Sequence, residues 1–113
     1  MIKLIASDID GTLLTSEHIV STATIEAIAS LQNKNIPFVI ISSRSASCIY
    51  PILKKHHFQC PIVACGGAWI EDMNGRILSN EGMSRETAST VIEFMTEKNF
   101  DLAWGIYSGK NWI

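Results

Sequence analysis

The chain lacks a basic stripe, a cysteine framework and any long apolar run, and each absence removes a class of function. Of its 113 residues only 18% are charged, the formal net charge is -2, and the few Lys and Arg are scattered. No cationic face is available for a phosphodiester backbone or an anionic lipid surface, so neither nucleic acid nor membrane is an expected partner. Cys48, Cys60 and Cys65 are odd in number and lack CxxC spacing. That argues against zinc knuckles and disulfide scaffolds and predicts reduced thiols in a cytoplasmic protein. The opening MIKLIASD has one lysine and a short apolar run before Asp8, too little for a signal peptide or a membrane span, and it reads as a native start. Repeats and low-complexity tracts are absent too. What remains is the profile of a soluble globular domain, 47% hydrophobic and able to bury a core. Small solutes are its expected ligands.

Ile2 to Ala6 is apolar almost throughout and too short for a helix, which predicts a strand buried on both faces. Thr22 to Lys34 carries Ile25, Ile28 and Leu31 at helical spacing, with Ser21 as N-cap and Asn35, Ile36 and Pro37 ending the helix. A second buried strand is expected at Phe38 to Ser42. A helix follows over Ala46 to His57, provided that Pro51 falls in its first turn or so, and a third apolar strand over Pro61 to Cys65. Strand, helix, strand, helix, strand is the pattern of a parallel sheet with right-handed crossovers. Beyond it the rhythm changes. Asn74 and Gly75 sit between two short strand-like runs, a hairpin signal. Ser84 to Lys98 carries Ala88, Val91, Ile92 and Met95 as one apolar stripe, expected to pack on a sheet. Asp101 to Tyr107 alternates as a strand, Ser108 to Asn111 turns, and Trp112 and Ile113 begin another strand, so the chain stops mid-hairpin. The expected division lies between residues 1–80 and 81–113, near Asn80 to Ser84.

Chemistry is indicated where the first strand ends. LIASDIDGTLL places Asp8 and Asp10 two residues apart beside Gly11 and Thr12. A buried strand has no use for unpaired carboxylates, since taking one out of water costs several kcal/mol or shifts its pKa. In open parallel sheets ligands sit beyond the carboxyl ends of the strands. Here those ends are Asp8 to Thr12, Ser42 to Arg44, and Cys65 to Ala68. Two carboxylates, a closely approachable glycine and neighbouring hydroxyls suit a magnesium ion and a phosphate together.

These residues match a family pattern. DIDGTLL, then VIISSR, then IVACGGAWI resemble the haloacid dehalogenase superfamily, specifically its Cof-type, sugar-phosphatase-like members. The resemblance implies a three-layer, Rossmann-like α/β core of which residues 1–80 are the first half, with residues 81–113 beginning an α/β cap. It implies a magnesium-dependent phosphatase of small phosphorylated metabolites, with Asp8 the nucleophile and Asp10 the general acid and base. Magnesium would take an oxygen of Asp8 and the backbone carbonyl of Asp10. Gly11, Thr12, Ser42, Ser43, Gly66 and Gly67 make the substrate-binding set: Gly11 offers an N–H, Thr12 fixes the loop and Ser42 donates its hydroxyl. Ser43 stands where the family usually has glycine, and Gly66 where it often has asparagine. Arg44 matches a family arginine but is as well suited to pairing with a surface acid, and it is left outside the catalytic set.

Two rival readings fail on particular residues. An EF-hand loop needs glycine at its sixth position and flanking helices, whereas Gly11 is fourth from Asp8 and follows a strand. A receiver domain would place an aspartate at the end of the third strand, where Cys65 and Gly66 stand. A rival of another class stays open. The family's later lysine and acidic motif are not among these 113 residues, so the chain is expected either to be the N-terminal part of a longer phosphatase, inactive alone, or to be a reduced protein acting by binding or oligomerisation. In the fold it resembles, strands made after the cap lie beside the first strand. Without them Lys3 to Ser7 is a bare apolar edge, and a homo-oligomer built through it or by exchange of the cap segment is expected.

Overall fold

In the computed structural model, which describes residues 1–98, 103–109 and 111–112, five strands lie side by side in chain order. They are β1 (Ile5–Ser7), β2 (Phe38–Ile41), β3 (Ile62–Ala64), β4 (Trp69–Glu71) and β5 (Ile77–Asn80). The first three are parallel, with Ile5 opposite Phe38 and Ile40 opposite Ile62. Helices α1 (Thr22–Asn33) and α2 (Ala46–His56) connect them, as the alternating pattern requires. β4 and β5 add antiparallel strands and make the sheet mixed. Their loop forms as its sequence dictates: the Asp72 carboxylate accepts from the N–H groups of Asn74 and Arg76 at 2.8 and 3.0 Å, and Gly75 takes φ 78°, which glycine adopts without strain.

α1 begins at its expected cap. Ser21 is extended and its hydroxyl accepts from Thr24 N–H at 3.2 Å, a contact worth about 1 kcal/mol. In α2, Pro51 stands at the sixth position, just past the first turn. Ser45 takes the N-cap, so the helix gives up one interior hydrogen bond at the proline. It closes at His57, in the left-handed region at φ 55°.

Ile9, Ile40, Ile49 and Ile62 are at most 1% exposed and centre the core, with Leu13, Val20, Ile28, Phe38 and Trp69 around them. The sheet buries one face, not both. Phe38, Ile40, Ile62 and Ala64 point into the core by the pleat's two-residue period, while Val39 and Val63 are half-buried and Ile41 is 41% exposed. β1 departs further from the expected buried strand. It starts at Ile5, lies at the sheet edge, and leaves Ile2 and Leu4 exposed ahead of it.

Met1–Asn80 and Glu81–Ile113 are separate compact units. In the second, α3 (Arg85–Glu97) is capped by Ser84, whose hydroxyl accepts from Thr87 N–H at 3.1 Å, and β6 (Tyr107–Ser108) pairs antiparallel with β7 (Asn111–Trp112). The α3 stripe is covered in part. Ala88, Ile92 and Met95 are half-buried, while Val91 is 43% exposed and Phe94, on the other side of the helix, 53%. The expected strand from Asp101 is irregular over residues 103–106. Asp101, Leu102, Lys110 and Ile113 lie outside the described residues. Among the described residues no helix is long and apolar enough to cross a membrane.

Candidate active site

The loop after β1 is held from inside. Ile9 is fully buried, Leu13 and Leu14 nearly so, and these three anchors leave Asp8 and Asp10 on the outer side. The turn is closed by wide backbone bonds: Leu13 N–H donates to Asp8 O at 3.2 Å and Leu14 N–H to Ile9 O at 3.0 Å. At its middle Gly11 takes φ 74°, and nothing lies within 4 Å of where a Cβ would stand. The glycine therefore serves the backbone turn and leaves open space over it. The Asp8 carboxylate accepts no hydrogen bond from a described residue. Thr12 is exposed and stands at the rim of a groove beside β1.

Beyond β2, Ser42 is buried and its Oγ accepts from Arg44 N–H at 3.1 Å. A hydroxyl that accepts this way keeps its own proton to donate. Ser43 is exposed. The loop after β3 is tied directly to this one: Cys65 N–H donates to Arg44 O at 2.8 Å and Gly66 N–H to Ser42 O at 3.1 Å. Cys65, Gly66 and Gly67 have φ of 52°, 65° and 107° in succession. Three left-handed residues in a row bend the chain sharply, and both glycines face open space.

Arg44 joins the second loop to the first. Its Nε donates to Asp10 Oδ2 at 2.8 Å and its Nη2 to Asp10 Oδ1 at 2.7 Å, a two-pronged pairing of fork and carboxylate. The guanidinium, chiefly through this hydrogen bonding, holds the Asp10 carboxyl below its ordinary 3.8, with a smaller contribution from His18. Asp10 is therefore ionised in this arrangement. Arg44 is the site residue that the sequence reading set aside. Its match to the family arginine was the available signal, but the partner, 34 positions away, was not readable locally. The three strand ends thus form one connected set through Asp10, Arg44, Ser42, Cys65 and Gly66. Asp8, Thr12, Ser43 and Gly67 reach it only through the backbone.

The family model for haloacid dehalogenase-like hydrolases matches residues 5–113. The phosphatase YwpJ of Bacillus subtilis is 30% identical over 98 residues, which are 87% of this chain and 34% of that protein. The pyridoxal phosphate phosphatase YbhA of Escherichia coli is 28% identical over 96 residues, 84% of this chain and 35% of that protein. Among solved structures, a phosphatase of the haloalkanoate enzyme superfamily from Bacteroides thetaiotaomicron superposes with a TM-score of 0.84 at 26% identity, covering 99% of this chain and 41% of its own. The chain spans about a third of the length of these curated relatives.

Proposed function

Since this chain belongs to the haloacid dehalogenase-like hydrolases, we propose that its three linked loops are the phosphoryl-handling part of a magnesium-dependent phosphatase of small phosphorylated metabolites. The observation that carries the reading is the contrast between its acids. Asp8 has an exposed carboxylate with no partner among the described residues, while Asp10 is gripped by Arg44. An unpaired carboxylate at a strand end is free to attack, and a paired one is held in place. The names of the relatives, phosphatases that include one for pyridoxal phosphate, support a phosphorylated small molecule as substrate. Three free thiols favour a cytoplasmic setting.

The donors suit magnesium, which keeps several waters and needs only one or two carboxylates plus phosphate oxygens. Asp8 would supply a carboxylate oxygen and Asp10 its backbone carbonyl. Among the described residues no cluster of three or more acids, histidines or cysteines exists to hold an ion without substrate. When bound, the ion supplies positive charge that lets an anionic nucleophile approach an anionic ester.

The protein's own part runs in two displacements. An Asp8 oxygen forms a bond to phosphorus as the ester P–O bond breaks, and the departing alkoxide takes a proton from Asp10. A water then gives its proton back to Asp10 and attacks phosphorus, releasing phosphate and restoring Asp8. Ser42 donates its hydroxyl, and Gly11, Gly66 and Gly67 let backbone approach the phosphate, with Thr12 and Ser43 at its margin. For Asp10 to carry the proton Arg44 must release it, and an arriving phosphate is a competing anion for the guanidinium.

A second reading, binding of phosphorylated ligands without turnover, is favoured by the same grip, because an ionised Asp10 is no acid. Magnesium with beryllium fluoride, an acyl-phosphate mimic, tests the assignment: the adduct is expected on Asp8, and an adduct on Asp10, or none near Ser42, overturns it. Turnover of p-nitrophenyl phosphate separates the two readings. A chain spanning a third of its relatives' length is expected to run below about 0.1 per second, since each lost electrostatic partner costs ~10²- to 10³-fold. Residual turnover that vanishes in Asp8→Asn marks an enzyme, and adduct formation without any turnover marks a binder.

A further inference from the structure

Arg44 already holds a carboxylate, and that partner shows what else it can hold. Its Nε and Nη2 donate to the two oxygens of Asp10 at 2.8 and 2.7 Å, the parallel pairing that a guanidinium makes with a planar carboxylate and that a lysine cannot copy. The backbone beneath the fork is fixed: Arg44 N–H donates to Ser42 Oγ at 3.1 Å, and Arg44 O accepts from Cys65 N–H at 2.8 Å. The fork is thus carried on a rigid stem that joins the loops after β1, β2 and β3.

With Asp10 serving the leaving oxygen of a phosphate ester, the fork stands on the leaving-group side of the site. A carboxyl acting on an ester oxygen lies about 3 Å from it, and the guanidinium is one further hydrogen bond away, so fork and ester oxygen are roughly 6 Å apart. A carboxylate carried one or two carbons along from the ester oxygen spans that gap. A neutral leaving group offers nothing that can take the place of Asp10, because hydrogen bonds to an ionised acceptor are about twice as strong as those to a neutral one. Opening the pair costs little, since neither side chain is buried.

We propose that Arg44 is a specificity residue selecting phosphate monoesters whose leaving group carries a carboxylate: the substrate carboxylate replaces Asp10 in the fork, and the exchange releases Asp10 to the ester oxygen. The inference rests on the phosphatase reading above and adds to it the chemical class of the substrate. On that reading the phosphoryl group has its own donors in Ser42 and in the backbone of Gly11, Gly66 and Gly67, so the anion at Arg44 is a second one. A carboxylate is assigned rather than a second phosphate because the fork is already closed on one. Beside Asp8 and Asp10 an added negative charge is repelled unless Arg44 meets it, which makes this residue decisive.

The test uses two non-hydrolysable phosphonates of one shape, 4-phosphonobutanoate and its neutral carboxamide. Their binding to the 113-residue chain is measured by calorimetry in the presence of magnesium, with circular dichroism as the check on folding. The acid is expected to bind about 10-fold more tightly than the amide. Arg44→Ala should bring that ratio to about 1 or below while the amide keeps its affinity within about threefold, and Arg44→Lys, which keeps the charge and loses the fork, should leave a ratio of only about 2. If Arg44→Ala does not fold, Arg44→Lys decides. Equal affinities in the wild type overturn the proposal and leave the phosphate site standing, whereas a chain that binds neither phosphonate overturns the site reading as well. Loss of both ligands in Arg44→Ala would put the guanidinium on the phosphoryl group, and tighter binding of propane-1,3-bisphosphonate than of the acid would make the second anion a phosphate. Either result overturns the assignment.

Discussion

Arg44 grips both carboxylate oxygens of Asp10, at 2.8 and 2.7 Å, although the two side chains remain 36% and 49% exposed. Exposure decides what the pair contributes. Water and salt screen it, so its value to stability is under about 1 kcal/mol despite the good geometry. Arg44→Ala is expected to shift the urea midpoint only slightly, with the shift shrinking in 0.5 M salt. The sign with pH follows from the lowered Asp10 pKa. The contribution is present above the ordinary value of 3.8 and is lost as pH falls through the depressed one. A loss of several kcal/mol in Arg44→Ala would show that the residue supports the fold and does not merely hold Asp10.

Glu71 is the opposite case. It is 2% exposed, and its Oε1 accepts from Tyr50 Oη at 2.5 Å and from Trp69 Nε1 at 2.7 Å, tying β4 to α2. Burial, and then the carboxylate, push the Tyr50 phenol well above its usual range. Glu71→Ala removes the acceptor that Tyr50 and the buried Trp69 N–H share and is expected to cost about 3 kcal/mol. Glu71→Gln keeps an acceptor and should cost about 1. Chemical denaturation of both variants checks this, and equal losses would mean that side-chain volume matters rather than hydrogen bonding.

The sequence was most readable where the determinants are local. Ser21 and Ser84 announce their helices because a cap acts within three residues, and Asn74 with Gly75 announces the hairpin because turn conformation belongs to single residues. The acids at 8 and 10 stood out because an apolar strand has no use for unpaired carboxylates. What could not be read depends on distant neighbours. Which acid Arg44 meets, 34 positions away, is set by what else is present in space.

The loop after β3 separates conformational cost from crowding. Neither Gly66 nor Gly67 has an atom within 4 Å of a built Cβ, yet their φ values are 65° and 107°. Gly67→Ala is expected to cost about 1–3 kcal/mol from backbone strain alone. Gly66 lies in the common left-handed region, which asparagine tolerates better than alanine. Gly66→Asn should therefore lose less than Gly66→Ala. Thermal melts of the three variants rank them, and a neutral Gly67→Ala would mean that the loop relaxes.

Cys60 gives the chain an alkaline limit. The thiol is 7% exposed, and burial pushes it up to about 11 from an ordinary 9.0, against a smaller opposing effect of a backbone hydrogen bond with Ile40. Below pH 9 the thiol is protonated in both folded and unfolded chains and costs nothing. Between 9 and about 11 the unfolded chain releases the proton and the folded one keeps it, so the folded state binds more protons and stability falls as pH rises. Two pKa units correspond to on the order of 2–3 kcal/mol. Tyr50, also raised, adds a loss of the same sign that begins nearer pH 10. The Cys60 share is isolated by comparison with Cys60→Ala. The variant should start less stable from lost packing, but its stability should decline less steeply between pH 9 and 11. Parallel curves for the two proteins would show that the thiol ionises in place, reached by water that the packed core is expected to exclude.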